Sequence, residues 1–491
     1  MSNHRDAELN LPVPTDTSLV TDLDSPKEEC GVIAVSSLDE AAARVAFFGL
    51  YALQHRGQEA AGIAVADGRS VRLHKGQGLV GQVFDDAKLK PLTGSLAIGH
   101  TRYSTTGNNS DRNVQPYVVE TMHGPLGISH NGNIVNADHL RSKLLQRGAG
   151  LQSSSDSEIL ALMLAATDGE TWEDRLSKVM SEWEGAFSLA ILAGTKIIVT
   201  RDPWGFRPLS IGRMPAGGHA VASETGALQT IGCDAIREIA PGEVVVLQGE
   251  HTRSHQAVKP KERQARCTFE HIYFSRPDAV WDGILIHKAR QRLGEELARE
   301  HPIEADVVIP VPDSSTPAAI AFANTSGIPY NEGFVKNRYI GRTFIEPTDE
   351  LRQQGVALKF NTLPENLEGK RVIMVDDSIV RGTTSGPLVK LVRDAGAAEV
   401  HMRITCPPIA HPCFFGVDMG THEELIGHKM GVPEIAEHIG ADSLGFLSVE
   451  RMMKALGRDD GYCNACFTGS YPVPVQLTLG NSKQRFDGVL G

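Results

Sequence analysis

No stretch of the 491 residues is apolar for long enough to cross a bilayer, because a spanning helix needs about 20 such residues in a row. The N-terminal segment MSNHRDAELNLPVPTDTSLVTDLDSPKEE has no apolar centre and is acidic, so it is not a secretory signal. An excess of basic residues is also missing. Lys and Arg number 48 against 60 Asp and Glu, for a formal net charge of −12, which argues against a nucleic-acid footprint. Seven cysteines are too few for a disulfide scaffold in a chain of this length without a secretion signal. They are expected to be catalytic, metal-bound or buried in a cytoplasmic protein. The G-x-x-x-x-G-K-[ST] loop of nucleoside triphosphate enzymes is absent, and no Rossmann fingerprint replaces it. What remains is a chain long enough for two or more domains with ample core.

The most informative stretch present is Arg371 to Ser385, RVIMVDDSIVRGTTS. The apolar run Val372–Val375 reads as a buried strand, and the acids Asp376 and Asp377 follow it. Gly382, Thr383, Thr384 and Ser385 form a small-residue loop, and Pro387 to Ala395 has helical spacing, with Leu388, Leu391 and Val392 on one face. A loop of this kind at a helix N-terminus offers backbone N–H groups to an anion. The acidic pair cannot bind phosphate. It suits sugar hydroxyls, or Mg²⁺ bridging a polyphosphate. An ordinary capped strand-to-helix turn is the plain alternative. The whole run resembles the phosphate-binding signature of type I phosphoribosyltransferases, which use phosphoribosyl pyrophosphate (PRPP).

Upstream, residues 1–29 are polar and read as disordered. A strand starts at Cys30-Gly31-Val32-Ile33-Ala34-Val35. Four polar segments, the first three containing glycine, follow between predicted elements: Leu53 to Gly62, with Arg56; Gly99 to Gly107, with Arg102; His130 to Ile134, with Asn131 and Gly132; and Ser155 to Glu158, with Asp156. Taken singly, each has an ordinary structural explanation. Arg56 and Arg102 fit salt bridges, Asn131-Gly132 a hairpin turn, and Asp156 the cap of a helix over 158–166. Antiparallel strands are expected from Ala186 to about Gly249. Together the segments resemble the class II glutamine amidotransferase domain, an N-terminal-nucleophile hydrolase with an α/β/β/α sandwich. The resemblance implies that Cys30 is the nucleophile and becomes the first residue once a leader, 1–29, is removed. It further implies that Asn131 and Gly132 form the oxyanion hole, that Arg102 and Asp156 hold the glutamine carboxylate and ammonium, and that Arg56 supports the site.

Residues 250–270 read as a connector. A second domain is expected from there, with a helix over 288–300 stitched by an Arg292–Glu296 pair, a strand over 306–311, the loop Pro312-Asp313-Ser314-Ser315-Thr316-Pro317 and a helix over 318–323. Alternating strands and helices from Asp306 to Thr405 predict a parallel sheet with ligands at the strand C-termini. The phosphoribosyltransferase resemblance assigns PRPP to Ser315, Lys336, Arg338, Arg342, Asp376, Asp377, Arg381, Gly382, Thr383, Thr384 and Ser385. Mg²⁺ would be held by Ser314, Asp376 and Asp377. Position 357 is Ala where that family often has Arg, leaving Lys359 as the cation there.

Cys463 and Cys466 form a C-x-x-C pair, and Cys413 and Cys267 lie elsewhere in the same half. Four thiolates admit zinc or an iron–sulfur cluster, and spacing does not choose. Cys233 and Cys406 read as buried thiols. The combination of all these motifs resembles the amidophosphoribosyltransferases, in the subgroup with a [4Fe–4S] cluster and a cleaved leader. That resemblance implies an α/β plus α+β chain divided as leader 1–29, amidotransferase domain 30–255, phosphoribosyltransferase domain 256–470 and tail 471–491. It also implies glutamine and PRPP as substrates, 5-phosphoribosylamine as product at the entry to purine synthesis, purine nucleotides as feedback inhibitors, and a homotetramer. Two rivals are a class II amidotransferase feeding another acceptor and a non-catalytic PRPP-binding regulator. The acidic loop disfavours the first and Cys30 with its partner segments disfavours the second.

Overall fold

The computed structural model describes residues 30–103, 110–337 and 359–475. Strands between Gly31 and Gln256 build two antiparallel sheets. In the seven-stranded sheet, Gly31–Ser36 lies between His219–Ala222 and Leu96–Arg102, and Ala60–Ala66 lies beyond. In the six-stranded sheet, Gly185–Ala193 lies between Gly124–Ile134 and Lys196–Arg201.

Side-chain alternation explains the layering. Val32 and Ala34 face the other sheet, where they meet Ala190, Leu192 and Val199. Their neighbours Ile33 and Val35 face the helix Ala42–Ala52 through Ala46 and Leu50. Across the sandwich, Leu189 and Ile191 turn outward to the helix Asp156–Ala166. The central strands of both sheets, such as Gly31–Ser36 and Gly185–Ala193, are thus covered on both faces, which is why they read as apolar runs. Each large aliphatic side chain buried this way contributes about 1.5–3 kcal/mol. The order helix, sheet, sheet, helix is the expected α/β/β/α sandwich.

The other half is built on a four-stranded parallel sheet of Val307–Pro310, Arg371–Asp376, Glu399–Ile404 and Ser443–Phe446, adjacent in that order. Tyr330 bridges the open side of Val307–Pro310, also in parallel. The chain therefore departs in opposite directions from the first two strands, and a crevice opens at their C-terminal ends. Among the described residues, no helix is long and apolar enough to cross a membrane.

Several local expectations are corrected. Residues 251–256 are not connector but an exposed edge strand paired with Glu243–Gln248. Its polar sequence hid it because no face is buried. The helix over 318–323 runs from Thr316 to Ser326. Glu296 bonds to Arg299, Arg451 and Lys454 rather than to Arg292. Tyr471, assigned to the tail, packs against Phe414 and Phe415. Cys233 and Cys406 are buried, as read from the sequence.

Candidate functional site

Cys30 immediately precedes the central strand of the seven-stranded sheet and is buried. Its thiol donates to the Tyr103 carbonyl at 3.3 Å. Burial pushes the thiol up to about 11, although that hydrogen bond and the Arg102 charge draw it back. Arg102 ends the neighbouring strand Leu96–Arg102 instead of following it, and stands 4.0 Å from Glu59. Residues 1–29 and 104–109, including the expected leader and the Ser104–Gly107 part of the Gly99–Gly107 segment, lie outside the described residues.

Asn131 and Gly132 are not a hairpin turn. Both sit inside the strand Gly124–Ile134, paired with Ser188 and Phe187. Gly132 has φ +145°, and a Cβ there would fall 2.0 Å from the Ala186 carbonyl oxygen, so only glycine fits. Asn131 is 2 % exposed, and its Nδ2 has no hydrogen-bond partner among the described residues. A buried, unsatisfied amide donor costs about 1–3 kcal/mol. Such a group at a strand position is what an incoming oxyanion would satisfy. Asp156 is not the helix cap: Ser155 caps, and Asp156 is the first helical residue. Its Oδ2 accepts from Ile134 N–H at 3.0 Å, which ties it to the end of the Asn131 strand. The charge of Asp156 also acts on Cys30, so these elements share one site.

Arg56 is fully buried, and its guanidinium binds protein groups. It donates to Glu224 at 2.6 Å, to Glu270 at 2.6 and 3.0 Å, and from Nε to the Cys30 carbonyl at 3.3 Å. It supports the backbone of Cys30 rather than facing outward. Glu224, Glu270 and Arg207 were not singled out from the sequence. Glu270 lies just after Cys267, but nothing local marks any of the three as a partner.

At the parallel sheet, Ser314 and Ser315 meet the acidic pair as predicted. Ser314 donates to Asp377 at 2.5 Å and Ser315 to Asp376 at 3.1 Å. Asp377 N–H donates to Asp376 at 2.8 Å. Gly382, at φ +78°, brings the loop backbone against Ile426, and the helix Ser385–Asp394 starts before the expected Pro387. Thr383 is exposed at the loop tip and Thr384 half-buried. Arg381 pairs with Glu424 at 2.6 Å, and Lys336 with Asp313 at 2.8 Å. Arg338, Arg342 and Ala357 lie outside the described residues, and Lys359 stands over the Phe360 ring.

Cys267, Cys413, Cys463 and Cys466 line one cavity with Phe206, Arg207, Phe415 and Tyr471. Cys267 and Cys463 are partners in a short parallel ladder. Burial pushes the Cys267 thiol up to about 11, and Cys463 and Cys466 also lie well above the ordinary thiol value, mainly through burial. Among the described residues no three or more His, Cys, Asp or Glu are gathered tightly enough to hold a metal ion.

Residues 100–230 match the family described as glutamine amidotransferase domain. The amidophosphoribosyltransferase of Synechococcus elongatus is 48 % identical over 475 residues, covering 95 % of this chain and 96 % of its own length. That of Bacillus subtilis is 48 % identical, covering 93 % and 97 %. A solved structure described as B. subtilis glutamine PRPP amidotransferase complexed with ADP and GMP superimposes with a TM-score of 0.85 at 47 % identity, covering 91 % of this chain and 98 % of that one. With an amidotransferase domain, a parallel-sheet half and this identity along nearly the whole length, the chain belongs to the amidophosphoribosyltransferase family.

Proposed function

We propose that the chain runs its family's reaction at two sites, with Cys30 the nucleophile of one and the Asp376–Ser385 loop the cradle of the other. The reaction moves the amide nitrogen of glutamine to C1 of PRPP. It yields 5-phosphoribosylamine, glutamate and pyrophosphate, and opens de novo purine synthesis. The observation that carries the glutamine site is the buried, unpartnered Nδ2 of Asn131 on a strand tied to Asp156.

At the first site, removal of residues 1–29 gives Cys30 an α-amine, whose ordinary pKa near 8 suits a general base. The amine takes the thiol proton and the sulfur attacks the amide carbon. Asn131 Nδ2 and the Gly132 N–H stabilise the resulting oxyanion. Arg102 and Asp156 hold the substrate's carboxylate and ammonium. The C–N bond breaks to release ammonia, and water then hydrolyses the thioester to glutamate. At the second site, ammonia forms the new bond at C1 while the C1–O bond to pyrophosphate breaks. Asp376, Asp377 and Ser314 suit Mg²⁺, an oxygen-seeking ion that shares its shell with substrate phosphates. The loop from Arg381 to Ser385 takes the 5-phosphate. Ser315, Lys336, Arg338 and Arg342 take the pyrophosphate.

Cys267, Cys413, Cys463 and Cys466 hold a [4Fe–4S] cluster in this reading. The support is an all-sulfur donor set bordering one apolar cavity, a setting that suits such a cluster. When bound, the cluster ties three chain segments together. Iron and acid-labile sulfide in anaerobically prepared protein distinguish it from zinc. The B. subtilis relative complexed with ADP and GMP supports nucleotide regulation here as well. A cytoplasmic homotetramer completes the reading.

The test is 5-phosphoribosylamine formation with glutamine and with ammonium. Cys30→Ala abolishes the first and spares the second. Asp377→Ala stops both syntheses and leaves glutamine hydrolysis. Loss of both syntheses in a folded Cys30→Ala protein overturns the two-site reading.

A further inference from the structure

Four fully buried charges meet where the two halves join. Arg56, Glu224 and Arg207 come from the first half, and Glu270 comes from the segment that opens the second. Two guanidiniums and two carboxylates balance. Glu270 is 0 % exposed and touches both arginines. Ser275 also donates to it at 2.5 Å.

Each arginine continues to a part of the glutamine site. Arg56 Nε donates to the Cys30 carbonyl at 3.3 Å. Arg207 donates through Nε and Nη2 to the Phe415 carbonyl, at 3.2 and 2.6 Å. The next residue, Gly416, packs on Gly132: a Cβ on Gly416 would stand 3.2 Å from the Gly132 carbonyl carbon. The preceding residue, Phe414, accepts from Asn133 Nδ2 at 2.9 Å. One carboxylate from the second half is therefore braced against both the backbone of the nucleophile and the strand that carries Asn131 and Gly132.

We infer that Glu270 is a positioning residue for glutamine hydrolysis, holding Cys30 through Arg56 and the oxyanion strand through Arg207. It touches neither substrate. This inference rests on Cys30 being the nucleophile. Its chemistry is charge-specific, since an amide in place of the carboxylate cannot anchor two guanidiniums that have no water to turn to.

The test compares Glu270→Gln and Glu270→Asp in the full chain. For Glu270→Gln, glutamine-dependent kcat falls about 10²-fold, the scale on which a misplaced catalytic group acts. The KM for glutamine and the ammonium-dependent rate stay within about threefold, because binding groups and the second site are untouched. Glu270→Asp, which keeps the charge, recovers part of kcat. Equal loss of both activities, or an unchanged glutamine kcat, overturns the inference. Should Glu270→Gln fail to fold, Ser275→Ala removes one hydrogen bond to the carboxylate. It is expected to lower glutamine kcat several-fold with the ammonium rate unchanged, and no change there overturns the inference too. Cys30→Ala run alongside separates the two readings. Persisting glutaminase activity in that variant sinks the nucleophile assignment, whereas its loss beside a fully active Glu270→Gln sinks only this one.

Discussion

The two sites are built in opposite ways. Around Cys30, the candidate groups come from several regular elements: Arg102 closes one strand, Asn131 and Gly132 lie inside another, and Asp156 opens a helix. Around Asp376, which closes its own strand, Ser314, Ser315, Asp377 and the 381–384 segment lie in the stretches between a strand and the helix that follows it. The polar groups also differ. Ser314, Ser315 and the two aspartates already bond one another, whereas Asn131 leaves a buried donor unsatisfied. In the proposed reading, the loop groups would exchange these hydrogen bonds for a metal and a sugar phosphate, whereas the strand donor would gain a bond it lacks among the described residues.

The sharpest way to break this contrast is Asn131→Leu. It should lower glutamine-dependent kcat by about 10²–10³-fold, as loss of one oxyanion donor does. Thermal stability should hold or rise, because an unpaired buried amide is removed. A drop in melting temperature by calorimetry would show that Nδ2 is paired in solution.

Next in size is Gly382→Ala. Its φ of +78° is unfavourable for alanine, and the new methyl would stand 2.6 Å from Ile426 Cδ1. A strain of about 1–2 kcal/mol is expected, equivalent to roughly a tenfold rise in KM for PRPP. Steady-state kinetics with ammonium checks it. Unchanged glutaminase activity keeps the loss on the loop site.

A smaller effect concerns pH. Burial pushes His100 and His271 down to about 3, His100 beside the first site and His271 next to Glu270. The unfolded chain takes these protons near pH 6.5. Stability is therefore full above pH 6.5 and declines as pH falls from there toward about 3, by at most about 1.4 kcal/mol per pH unit for each histidine. Melting curves at pH 7.5, 6.5 and 5.5 should shift downward in that order, and His100→Gln should flatten the trend.

The smallest expected change is in the Lys336–Asp313 pair, since both side chains reach solvent. Asp313→Asn should alter stability by less than about 0.5 kcal/mol. A larger change would mean that this loop is held as firmly as the glutamine site.

The contrast also explains what could be read in advance. The Asp376–Ser385 loop was legible because strand, acids, glycine and helix are consecutive, and local sequence carries the geometry. Asn131-Gly132 was legible as a motif, and its ordinary alternative, a hairpin turn, is not what forms. Glycine and asparagine signal a turn, but the covered sheets impose a strand, and the glycine is there because the Ala186 carbonyl leaves no room for a Cβ. The Asp156 cap failed for a similar reason: Ser155 outcompetes it, freeing its carboxylate to accept from Ile134.

Hydrophobic periodicity and turn chemistry, which act over a few residues, were enough to specify antiparallel strands in the first half and the parallel sheet in the second, while the sandwich layers and the residues of the first site came from the resemblance of whole motifs. Partner choice over long separations was not contained in any local stretch. Arg56 meets Glu270, 214 positions away, and Arg207 meets Phe415, 208 positions away. A charge can be buried only where an opposite charge arrives to compensate it, and which one arrives is settled when the two halves pack together.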